Sequence, residues 1–124
     1  MKILVVEPER KPEVQEISGS LESMQKVVSG LIQALYPFAG PVALIANDEG
    51  KLLGLPMNRG LRDEDGKLYD ILCGTFFLCG ISGDSFVSLT EEQIQHLKRV
   101  FAAPELFVKF NGHLVILPLN EGND

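Results

Sequence analysis

The sequence predicts an α+β fold: a mainly antiparallel sheet with two helices packed on it and a C-terminal β-hairpin. Three observations carry that prediction. Strand-like apolar runs recur along the 124 residues but are interrupted by only two helical patterns, so the spacing of a repeated βαβ unit is missing. Leu89 to Gln93 spell a complete helix start. Asn111-Gly112 sits between two strand-like runs, the strongest short-range hairpin signal.

The elements follow in order. Lys2 to Val6 reads as a short buried strand, and Glu13 to Ile17 as an edge strand returning after the turn Pro8-Glu9-Arg10-Lys11-Pro12. Ser18-Gly19-Ser20 offers an N-cap to a helix whose apolar stripe is Leu21, Met24, Val27, Val28 and Leu31, with Gly30 as its stop. Leu31 to Tyr36 and Val42 to Ala46 are strands. Asn47-Asp48-Glu49-Gly50 is turn chemistry, and Lys51 to Leu55 is expected to return as the hairpin partner of Val42 to Ala46. Pro56 ends that pairing, because proline has no N–H to give a sheet.

Leu68 or Asp70 to Gly80 is the longest strand candidate. Both of its faces are apolar or small, so it should be central and covered on both sides. The second helix is the best specified: Thr90 as N-cap, Gln93 completing a capping box, and Leu89 with Ile94 as a hydrophobic staple. Its buried stripe is Ile94, Leu97, Val100 and Phe101, and Pro104 ends it. A two-residue turn at Asn111-Gly112 then sets Phe110 opposite His113, Val108 opposite Val115 and Leu106 opposite Leu117.

Length fits a single domain over residues 1–124, large enough to fold without a metal or disulfide. Seventeen acids against eleven bases give a net charge of −6, a poor basis for general nucleic-acid binding. No run reaches the roughly 18 apolar residues of a membrane span. The N-terminus does not read as a signal peptide, so the expected location is the cytoplasm. Cys73 and Cys79 fall in one expected strand about 20 Å apart, too far for a disulfide unless the strand breaks, for instance at Gly74. They read as reduced packing thiols.

The chemistry-bearing residues do not assemble into a known motif. His96 and His113 lack a nucleophile partner or a nearby ligand in sequence, so no catalytic residue, metal site or cofactor is assigned. Asp63, Glu64 and Asp65 read as a solvated turn, since Leu61 would occupy the first position of a calcium loop ending its turn at Gly66. That leaves Pro56 to Arg62. Asn58, Arg59 and Arg62 are candidates for recognising an anionic group. The competing structural reading has Arg59 tied to the fold, for example by Asp70, and Asn58 capping a turn.

Ala43 to Arg59, Asp70-Ile71 and Gly74-Thr75-Phe76-Phe77 together resemble an uncharacterised bacterial and phage family, the DUF3846-like domains of unknown function. Met1 to Pro8 and Ser88 to Gln93 share the resemblance, which covers about residues 1–105 and leaves the hairpin 106–117 outside. It implies a setting among bacteria, phages and conjugative elements but no activity. Asn58, Arg59, Asp70 and Gly74 match family-like positions and stand as binding candidates on that ground.

The expected function is a small protein-binding or regulatory module, more a contact surface than an enzyme. Its partner would be another protein, with neither membrane nor direct nucleic-acid binding, and with a homodimer through an edge strand as an option. The alternatives are an acidic inhibitor of a nucleic-acid-binding enzyme, or a small-ligand binder using Pro56 to Arg62.

Overall fold

The elements run β1 (Lys2–Val6), β2 (Glu13–Glu16), α1 (Leu21–Val28), β3 (Ile32–Leu35), β4 (Val42–Asn47), β5 (Met57–Arg62), β6 (Leu68–Cys73), β7 (Phe76–Ser82), β8 (Ser85–Val87), α2 (Glu91–Val100), β9 (Glu105–Phe110) and β10 (His113–Pro118). The structure is a computed structural model, and it describes residues 1–119. The fold is α+β, as expected: one antiparallel six-stranded sheet in the order β2-β1-β7-β4-β3, with β8 also on β7, and two separate hairpins, β5–β6 and β9–β10.

Period-two alternation makes both faces of the large sheet apolar. The register aligns Leu4, Leu78, Leu44 and Leu35 in one row across four strands. These leucines share their face with Val6 and Phe76, and α2 packs there through Ile94, Leu97 and Phe101. The alternate residues Val5, Phe77 and Ile45 point the other way, onto Met24 and Val28 of α1. The two helices therefore lie on opposite faces. The hairpin β5–β6 supplies Leu61 and Leu72 to the α2 side. As expected, β7 is central and Phe76 to Gly80 are buried.

Both helix starts follow the sequence. Ser20 accepts from Ser23 N, and Thr90 and Gln93 form the reciprocal capping box. The hairpin β9–β10 has the expected register, including Val108 opposite Val115.

Five expectations are corrected. Lys51 to Leu55 is not a strand; Lys51 to Gly54 form turns, and β4 pairs with β3 and β7 instead. Pairing begins just after Pro56 rather than ending there: Met57 to Arg62 is itself a strand, and proline is tolerated just outside a strand's first residue. The expected strand from Leu68 to Gly80 breaks at Gly74, so Cys73 and Cys79 belong to different sheets; both are free thiols. Gly74 has φ +85°, and a Cβ there would meet Leu55 Cδ1 at 2.7 Å.

The remaining two corrections concern helices. Helix α1 stops one residue early, with Ser29 in the left-handed conformation as its C-cap. Gly30 follows, and a Cβ on it would lie 2.6 Å from Asn47 Nδ2. The apolar stripes are narrower than their periodicity implies: Leu21, Leu31 and Val100 are exposed. Eight- and ten-residue helices lie against a sheet along about two turns each, so the end residues project past the contact.

Candidate functional site

Asn58 and Arg59 sit where three parts of the chain meet: strand β5, the turn after β1 and the end of α2. Antiparallel pairing of β5 with β6 is interrupted by a register shift between Met57 and Arg59. That irregularity lets Asn58 and Arg59, adjacent in sequence, both turn inward. Asn58 is fully buried and Arg59 is 2% exposed.

The Asn58 carboxamide donates to Val6 O at 2.8 Å and to Gly74 O at 2.9 Å. Its Oδ1 accepts from Arg59 Nη1 at 2.9 Å, and Arg59 Nη1 also reaches Asn58 O. Arg59 Nη2 donates to Arg10 O at 2.6 Å and Phe101 O at 3.1 Å. The guanidinium thus binds four oxygens, none of them a carboxylate. Its buried Nε has no hydrogen-bond partner. Burial pushes Arg59 below its ordinary pKa, and the field of Glu105 acts against that shift. A buried carbonyl set matches the five-donor fork of arginine and would not match a lysine.

Glu105, at the start of β9, holds the neighbouring residues. Its carboxylate accepts from Gly60 N and from Arg62 Nη2, each at 2.8 Å. Arg62 is exposed and points to the rim of a cleft of about 330 Å³ walled by Phe38, Phe101 and Val100. Sequence reasoning missed Glu105. Its only signal was a charge at the head of an otherwise apolar strand.

The five candidates do not form one site. Asn58, Arg59 and the carbonyl of Gly74 make one network. Arg62 lies on its outer side with Glu105. Asp70 does not pair with Arg59. It binds Lys51 at 2.5 Å and its own neighbour Ile71 N, because it stands on the β6 strand beside the Lys51 turn. That bond raises the Lys51 pKa.

A second buried amide, Asn47, was read as a turn residue. It ends β4 and donates to Val28 O and Ser29 O, so it caps the C-terminus of α1, while its Oδ1 accepts from Glu49 N. Asp63 Oδ1 accepts from Asp65 N and Lys67 N, which places the acidic cluster in a self-bonded turn. Among the described residues, no three His, Cys, Asp or Glu side chains converge as a metal-ligating group. Among them, too, no helix is long and apolar enough to cross a membrane.

A further exposed apolar surface lies on the C-terminal hairpin. Side chains paired across an antiparallel ladder share a face. The register therefore puts Leu106, Val108 and Phe110 with Val115 and Leu117 on one side. Their exposures run from 36% to 64%. On the other side Phe107 and Ile116 are half-buried and Leu114 is 39% exposed.

No curated protein and no solved structure matches this chain. The pattern of the family described as "Domain of unknown function (DUF3846)" matches residues 1–102, most of the chain, and the protein belongs to that family.

Proposed function

We propose that the protein is a binding module that works by contact with another polypeptide, without chemistry of its own. The observation that carries this reading is the apolar face of β9–β10. Five apolar side chains share one side of a two-stranded sheet and remain exposed. Contiguous exposed apolar patches of this kind mark interaction sites in soluble proteins. The burial of Asn58 and Arg59, with the Asn58 amide and both Arg59 Nη groups bonded to the fold, supports contact over small-ligand recognition by the Pro56 to Arg62 segment. Acids are carried by α1 and by α2 on opposite faces of the sheet, at Glu22 and at Glu91 and Glu92. That dispersal speaks against a phosphate-mimicking surface.

The proposal places the protein in the cytoplasm of a bacterium or phage-infected cell, which suits two unbridged cysteines. The test is affinity capture with the full chain and with Val108→Lys. A defined polypeptide held by the wild type and lost by the variant, with an unchanged thermal melt, is the expected result. Equal capture by both proteins would sink the reading.

A further inference from the structure

We infer that the polypeptide covering this face is a second copy of the same chain, stacked face to face across a two-fold axis. The inference rests on the contact-module reading above and names the partner. A two-stranded sheet is marginal in water unless a further layer covers its apolar side. Here one side carries half-buried Phe107 and Ile116 beside exposed Leu114, and the other carries Leu106, Val108, Phe110, Val115 and Leu117 in the open.

The chemistry of the face suits self-association. His113 at the tip is its single titratable side chain, and Glu105 and Lys109 stand on the opposite side of the ladder. Two identical faces can therefore meet without burying like charges. A charged partner would find nothing on it to pair with. Sheets pack face to face about 10 Å apart, so in a two-fold stack the apolar side chains of the two copies would interdigitate.

The area is small. At the exposures given, full coverage of the five side chains would bury roughly 900 Å² over two copies, just under the roughly 1,000 Å² where specific interfaces begin. The expected dimer is accordingly weak and transient. Each copy carries a net charge of −6, so screening by salt should tighten the dimer.

Sedimentation velocity of the full chain over a wide concentration range tests this directly. We expect a reversible monomer–dimer equilibrium that strengthens in 0.5 M NaCl by several-fold, and a monomer at every concentration for Val108→Lys. The sequence contains no tryptophan, so Phe110→Trp provides a single fluorophore on the face. Its emission should shift to the blue as concentration rises. A strictly monomeric wild type, a dimer that survives Val108→Lys, or a dimer in which the new indole stays solvated would overturn the inference. A monomer that still loses a different captured protein on Val108→Lys would remove self-association alone and leave the contact-module reading standing.

Discussion

Arg59 donates from Nη2 to the backbone carbonyl of Phe101, 42 residues away, at 3.1 Å. Phe101 is the C-cap of α2, and its carbonyl belongs to the set that a helix end leaves without an internal partner. One side chain from β5 thereby closes the helix, holds the turn at Arg10 and braces Asn58. A positive charge is also favourable at that end of the helix dipole.

Arg59→Ala should therefore act on the fold. It strands several buried carbonyls at once, and about 3 kcal/mol of stability should be lost. Arg59→Lys should recover less than half of that, because one ammonium cannot span Asn58, Arg10 and Phe101 together. Urea denaturation of the three proteins measures both effects. A loss below about 1 kcal/mol for Arg59→Ala would contradict this role.

Asn58 and Arg59 should be energetically coupled. Asn58→Ala removes the donors to Val6 O and Gly74 O and also the Oδ1 acceptor of Arg59. The double variant should be less damaged than the sum of the single ones by about 1 kcal/mol, as for residues in one network. A double-mutant cycle that closes additively would show that the two side chains act separately.

Much of this architecture was legible in the chain. Thr90 and Gln93 carry their cap in adjacent residues, and Asn111-Gly112 sets its register by turn geometry alone, so local chemistry sufficed. The break at Gly74 was harder. Leu72, Phe76 and Leu78 keep an uninterrupted apolar rhythm, and only the backbone angle at Gly74 separates two sheets. The Pro56 to Arg62 segment read as a loop because its polar residues seemed to belong in water. Their partners are main-chain carbonyls at Val6, Arg10, Gly74 and Phe101, which leave no mark in a sequence. Glu105 and Asn47 were missed for a related reason: each serves a residue that is remote along the chain.

Asn47 should govern the C-terminal end of α1. Asn47→Ala deprives Val28 O and Ser29 O of their donor and should cost about 2 kcal/mol. Asn47→Asp is expected to be at least as harmful at neutral pH. It sets a carboxylate against those carbonyls and against the negative end of the helix dipole. Facing those carbonyls, the new carboxyl has a folded pKa above its unfolded one. The variant should accordingly regain stability as pH falls through the carboxylate range, when the acid can donate. Denaturation of Asn47→Asp at acidic and neutral pH checks the sign, and a variant that weakens further on acidification relative to wild type would refute it.

Gly74 should resist replacement. Its φ of +85° is unfavourable for any side chain, and a Cβ would press on Leu55. The left-handed conformation alone costs about 1–2 kcal/mol. Gly74→Ala should lose roughly 2 kcal/mol in total, with faster hydrogen exchange spreading into β5 because the carbonyl of Gly74 holds Asn58. A melt indistinguishable from wild type would rule out the constraint.

Cys79 sets a pH limit on stability. It is buried on the α1 side of β7, and burial pushes its thiol from 9.0 up to about 12. In the unfolded chain the thiol ionises first, so between those values the unfolded state binds fewer protons than the folded one. Stability from this group is complete below about pH 9 and is lost as pH rises towards 12. The useful quantity is the difference between wild type and Cys79→Ala, which isolates this thiol. That difference should favour wild type near neutrality, where the buried thiol fills space, and shrink steadily above pH 9. Alkylation offers an independent reading. Cys73, half-buried near Lys51, should react in the native protein, whereas Cys79 should react only on unfolding. Native-state labelling of Cys79 at a rate matching Cys73 would show that the α1 face of the sheet is open to solvent.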